Sequence, residues 1–211
     1  MRRLVKWGLA AAVLAVVAVV AVSLLRGADT PPAPALPDNP ASTPSGELEG
    51  TLRPADGSFV GYRVDETLIG IGLNTAVGRT GEVNGSARIE GGRIADAHFE
   101  ADTRTLRSDE ARRDEALRSR GLETDRYPEA AFVLGAPVRV APRMTARGRL
   151  TLHGRTRRVR IRLQSRRSGV GVDLVGSTPI EFSDYGMEPP SVAGVASVRD
   201  HGRMEVRLRL R

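Results

Sequence analysis

The chain has 211 residues, enough for one domain or at most a small pair, and it contains no cysteine. Disulfide frameworks, cysteine-ligated zinc and thiol catalysis are therefore excluded. The formal net charge of +7 would suggest acidic partners, but Arg2, Arg3, Lys6 and Arg26 lie in an acid-free opening stretch, and without them 28 basic residues face 25 acidic ones.

After "MRRLVK", residues 7–25 read "WGLAAAVLAVVAVVAVSLL" with no charge. As a helix this run spans about 28 Å, close to the hydrocarbon thickness of a bilayer. The basic residues before it keep the N-terminus cytoplasmic and send the rest of the chain outside. Residues 1–26 are read as an uncleaved transmembrane signal anchor. The rival is a cleaved signal peptide, but the run is long for one and Arg26 stands where a small residue belongs. The expected location is therefore the cell membrane, single-pass, with the C-terminal domain extracytoplasmic.

Residues 27–50 form a Pro-rich linker. "GADTPPAPALPDNPASTPSGE" (27–47) carries six prolines and no run of large apolar side chains. It cannot bury enough surface to offset its ordering entropy. It reads as a semi-extended tether with a reach of up to about 60 Å and no binding role of its own.

From residue 51 to 211 the pattern changes to period two. "VNGSARIE" (83–90), "ADAHFEAD" (95–102), "RRVRIRLQ" (157–164) and "MEVRLRLR" (204–211) alternate apolar and polar residues. One apolar face and one wet face mark antiparallel strands. Shorter candidates lie at 59–64, 68–74, 131–134, 148–153, 170–175 and 178–182, several separated by turn signals such as "EGGR", "LHGR" and "RRSG". Many short strands at regular spacing indicate a sandwich or a barrel. "SDEARRDEALRSRG" (108–121) reads instead as a helix, with Ser108 as N-cap, Asp109–Arg113 and Asp114–Arg118 as i,i+4 pairs, and Gly121 as the stop. Its few apolar residues suit a small lid beside a sheet.

Candidates for catalysis are few. His98, His153 and His201 share no metal-ligand spacing, and both His98 and His153 are expected to face solvent. No nucleophile elbow, metalloprotease or P-loop pattern occurs. The reading is a non-enzyme without metal or cofactor. Eleven arginines and no acid lie between Glu129 and Asp173. No aromatic stands among those arginines for base stacking, and the expected topology is extracytoplasmic, so nucleic acid is not a partner. Anionic headgroups remain an alternative partner, each nearby Arg contributing about 1 kcal/mol.

"SDEARRDEALRS", "LETDRYPEAAF", "GRLTLHGRTRRV" and "EFSDYGM" occur in the order of the YceI-like, or polyisoprenoid-binding, family. The chain resembles that family over residues 59–211, most specifically at Tyr127 to Phe132 and Leu150 to Gly154. The resemblance implies an all-β fold: an eight-stranded antiparallel lipocalin-like barrel with one short helix. It also implies an apolar lumen for an isoprenoid lipid, either a polyprenyl lipid or an isoprenoid quinone. The expected lumen residues are Ile69, Leu73, Ala87, Ala97, Phe99, Ala101, Phe132, Leu150, Leu152, Ile161 and Phe182. Small inward residues would leave a channel where Leu or Phe would plug it. Members commonly carry Arg before the Ser-Asp-aromatic-Gly segment, whereas Phe182 precedes Ser183 here. The expected function is a membrane-tethered protein that holds or shuttles the lipid without altering it. The alternative is a filled, non-catalytic adhesive or scaffold barrel whose arginine face meets anionic surfaces. A homodimer is left open.

Overall fold

The computed structural model describes residues 30–36, 47–68, 72–188 and 196–211. The chain divides into two units, Met1–Pro31 and Pro32–Arg211, and the second carries the fold. The expected anchor at 1–26 lies outside the described residues, as does Ile69. Among the described residues no helix is long and apolar enough to cross a membrane.

The fold is all-β with one short helix. Among the described residues thirteen strands join one antiparallel sheet: β1 (Gly50–Leu52), β2 (Phe59–Leu68), β3 (Gly72–Thr80), β4 (Val83–Glu90), β5 (Arg93–Asp102), β6 (Arg107–Ser108), β7 (Glu129–Leu134), β8 (Val138–Arg139), β9 (Arg143–Leu152), β10 (Arg155–Ser168), β11 (Gly171–Glu181), β12 (Ala196–Val198) and β13 (His201–Leu210). The order is β1-β4-β5-β7-β9-β10-β11-β13-β2-β3-β6, with β8 on β5 and β12 on β2. The expected number is eight. Among the described residues nine strands have six residues or more, and the single candidate at 68–74 spans the end of β2 and the start of β3.

The sheet curls so that alternate residues of its strands converge on one apolar interior. β3 and β4 follow each other in sequence yet lie at opposite ends of the path, and no ladder joins them among the described residues. Each end strand is covered in part, β3 by β6 at Gly78 and Arg79 and β4 by β1 from Ala87 to Ile89, which shortens the edge available for strand addition. Beyond β1 the chain meets the C-terminus: Arg53 N donates to Arg211 O at 2.8 Å and Arg211 N to Arg53 O at 3.0 Å.

Two expected strands at 170–175 and 178–182 are one, β11, despite Pro179. The proline is tolerated because the β10–β11 ladder ends at Arg162–Ser177, so β11 needs only its β13 partner there. Thr178 Oγ1 takes over, donating to Arg160 O at 3.1 Å.

The β9–β10 hairpin matches its sequence closely. His153 and Gly154 have φ of 49° and 68°, the left-handed pair required by a two-residue hairpin turn. Leu150 and Ile161 are buried, Leu152, Val159 and Leu163 half-buried, and Arg158, Arg160 and Arg162 exposed.

The helix is shorter than expected. α1 covers Ala111–Ala116 and continues as a π-helical turn, Leu117–Gly121. Its N-cap is Glu110, whose side chain accepts from Arg112 N. Ser108 instead ends β6 and donates its hydroxyl to Asp114 Oδ1 at 2.7 Å. With Asp114 so engaged, Arg118 pairs with Glu115 at 2.7 Å, while the expected Asp109–Arg113 pair forms at 2.5 Å.

Residues 32–36 of the linker lie on the outer face of the sheet. Arg79 Nη2 donates to Pro32 O at 2.6 Å and Arg207 Nη2 to Ala35 O at 2.7 Å.

Candidate functional site

The curled sheet encloses a cavity of about 240 Å³. Its wall is built by the inward rows of the long strands. β2 contributes Val60, Val64 and Glu66, β5 contributes Ala97, Phe99 and Ala101, and β13 contributes Met204, Val206 and Leu208. Small side chains matter here. Ala97, Ala101 and Ala146 face the interior where larger residues would close it. Phe132 lies over Gly148 of the neighbouring strand, so close that a Cβ at 148 would meet its ring at 2.6 Å. That missing side chain leaves room for the aromatic ring against the neighbouring strand.

Eight of the eleven expected lumen residues line this cavity: Ala97, Phe99, Ala101, Phe132, Leu150, Leu152, Ile161 and Phe182. Two described ones do not. Leu73 is 76 % exposed, because it pairs with Thr67 on the outward row of the β2–β3 hairpin. Shifting a strand boundary by one residue exchanges its faces, and the alternation around 68–74 does not fix where β3 begins. Ala87 is fully buried, but it sits opposite Leu52 of β1 and packs in the core away from the cavity.

The helix end of the cavity, where polar groups gather, is absent from the sequence-based expectations. Arg113 of α1 donates to Glu66 Oε1 at 2.9 Å, and Asn74 Nδ2 donates to the same oxygen at 2.6 Å. Glu66 is only 8 % exposed, so this ion pair works in a partly dry setting. Ala116 and Leu117 of the same helix, with Leu122 beyond it, line the cavity, so the Glu66–Arg113 pair fastens the helix to the wall. Nearby, the Tyr62 hydroxyl is buried beside Ser108 of β6. Burial raises the Tyr62 phenol well above its ordinary range, so it stays neutral. Glu66 and Tyr62 sit on the even-numbered, inward row of β2, a signal that is readable only once the strand is extended to Leu68.

A second cluster fastens the opposite flank of the helical segment. His153 is not the solvent-facing residue expected; its side chain is 11 % exposed. Its Nε2 lies 2.7 Å from Glu123 Oε2 and its Nδ1 3.1 Å from Tyr185 O. Its ring meets that of Tyr127 with centroids 4.2 Å apart. The turn at His153 is as expected, but a left-handed turn carries its side chain back against the 3-10 turn Ser183–Tyr185. His98, in contrast, is at the surface beside Glu100, as expected.

This arrangement defines a class: a small all-β container with an apolar interior and a helical cover fixed by two polar clusters. The chain belongs to the YceI-like domain family, whose family model matches residues 51–210. No curated protein matches it. Among solved structures it is similar to BcnA of Burkholderia cenocepacia, at 14 % identity over 71 % of this chain and 95 % of that one, with a TM-score of 0.57. It is also similar to a polyisoprenoid binding domain from Saccharophagus degradans, at 17 % identity over 77 % and 98 % of the two chains, with a TM-score of 0.56.

Proposed function

We propose that this protein binds an isoprenoid lipid, a polyprenyl lipid or an isoprenoid quinone, in its lumen and holds or shuttles it unchanged. The observation that carries this reading is the unfilled cavity of about 240 Å³ behind an almost wholly apolar wall. Each buried methylene contributes on the order of 0.8 kcal/mol before ordering costs, so an apolar chain needs little polar recognition to bind. Family membership and the polyisoprenoid-binding description of the Saccharophagus domain support the same ligand class. In this reading residues 1–26 anchor the domain on the extracytoplasmic side of the cell membrane. The test is purification from the native membrane in mild detergent, then solvent extraction and mass spectrometry. An isoprenoid lipid at near-stoichiometric amount is expected. An empty protein that also fails to take up added polyprenyl lipid would overturn the reading.

A second reading has one observation of its own. On the outer face of β9 and β10, Arg147 lies opposite Arg160 and Arg149 opposite Arg158, all four exposed. Like charges directly across a ladder destabilise it unless an anion lies between them. This favours an adhesive role for the hairpin at anionic surfaces. Vesicle binding that requires anionic lipid, weakens with salt and is lost on changing these four arginines to glutamine is the expected result. Equal binding to zwitterionic vesicles would exclude it.

A further inference from the structure

The linker makes contacts that its composition does not suggest. Residues 31–37 read "PPAPALP", so Pro32 and Pro34 have φ fixed near −65° and the following prolines hold Ala33 and Leu36 in extended or polyproline II geometry. In polyproline II the chain repeats every three residues, so the carbonyls of residues i and i+3 point the same way. The two carbonyls gripped by the domain are those of Pro32 and Ala35, three residues apart.

The gripping residues are held in place beforehand. The Arg79 guanidinium lies 4.5 Å from the centre of the Phe59 ring and that of Arg207 lies 5.4 Å from it. Phe59 stands directly opposite Arg207 in the β2–β13 ladder, and Arg79 faces Gly61, one outward position further along β2. Glu205, 2 % exposed and on the same outward row as Arg207, binds Arg63 at 2.6 Å and approaches Arg79 at 3.6 Å, so a buried acid fixes part of this layer. Pro34 is half-buried, while Pro32, Ala33 and Ala35 are exposed. At the end of the segment Leu36 lines a cleft together with Leu48, Gly91 and Gly92.

We propose that the Arg79–Phe59–Arg207 surface is a recognition site for a proline-rich strand in polyproline II form, and that residues 32–36 of this chain occupy it as a clasp. The aromatic ring aligns two guanidinium groups at the spacing of one polyproline turn, and each takes one carbonyl. Proline suits the site because its carbonyls accept and its backbone offers no competing N–H. Its low conformational freedom also reduces the ordering cost of docking. Residues 32–36 are then a bound element rather than part of a free spacer.

The test is protease protection of the Ala35–Leu36 bond in the full-length protein in detergent. An elastase-type protease cleaves after small residues, and the rate is compared with that in a free peptide of residues 30–38. Protection of about tenfold, equivalent to roughly 1.4 kcal/mol, is expected in the wild-type chain. It should disappear in Arg79→Ala/Arg207→Ala. A second variant, Pro32→Gly/Pro34→Gly, is compared with its own free peptide; it leaves the sheet untouched and should lose protection while the melting temperature falls by only about 3–6 °C, the loss of the clasp itself. Cleavage of the wild type at the free-peptide rate would overturn the clasp. Protection that survives the arginine changes would overturn the assignment to this surface.

Discussion

His153 and Glu123 are the two described residues other than glycine with left-handed backbone, at φ 49° and 47°, and their side chains bond to each other at 2.7 Å. Each conformation costs free energy for a residue with a side chain. The contact links the β9–β10 turn to the loop after the helix, and Tyr185 O accepts on the other side of the ring. The imidazole thus bridges a carboxylate oxygen and a backbone carbonyl.

His153→Ala should therefore destabilise the protein by about 1–3 kcal/mol, because it leaves a carboxylate and a carbonyl unpaired. Glu123→Gln, which keeps an acceptor, should cost less. Urea unfolding measures the totals. Hydrogen exchange over residues 111–124 should accelerate in His153→Ala before the strands do, and uniform acceleration would argue against a local fastening.

Removing Arg113 acts on the opposite fastening. Arg113→Ala leaves Glu66 at 8 % exposure with Asn74 as its remaining partner. A loss of about 3 kcal/mol is expected, since a partly buried charge without its counterion is costly. Adding Glu66→Gln should recover part of that loss. Denaturant midpoints of the two single variants and the double variant decide this, and strict additivity would contradict the pairing.

Tyr185 gives a pH prediction. Its ring is buried, and burial with help from Asp184 pushes its phenol up to about 12, while its hydroxyl has no partner. The folded state thus holds the proton more tightly than the unfolded chain, whose tyrosine titrates near 10. This contribution is fully present below about pH 10 and is lost as pH rises toward 12. Tyr185→Phe should be neutral or stabilising at pH 7 and should show a shallower loss of stability above pH 10. An unchanged alkaline profile in thermal unfolding would refute the assignment.

Ala97→Phe tests the lumen. The new ring would project into the cavity, so lipid occupancy in extracts should fall severalfold while the melting temperature moves by no more than about 4 °C. Undiminished occupancy would mean that the lipid sits elsewhere.

The β9–β10 hairpin is legible in the sequence because its alternation is strict and its turn short. Ala97, Ala101 and Ile161 are legible for the same reason. Leu73 is not, because glycines surround the β2–β3 turn and leave the register underdetermined. Glu66, Arg113 and Tyr62 escape notice because each reads locally as an ordinary strand or surface residue; only the curl of the sheet brings them to one end. His153 shows a related limit: composition says turn, but torsion decides where its ring goes.

β13 lies between β11 and β2, so the β2–β3 hairpin reaches the remaining long strands of the ladder only through the last strand of the domain. Val60 and Val206 pair across 146 residues of chain. On the ribosome, strands β4 to β11 can zip in sequence as they emerge, but the first hairpin must wait for the last strand. Such long-range closure makes folding slow, because loop entropy is spent before the contact forms. Until then the interior has a missing wall and β11 an open edge, and the nascent domain is most exposed to aggregation before β13 emerges.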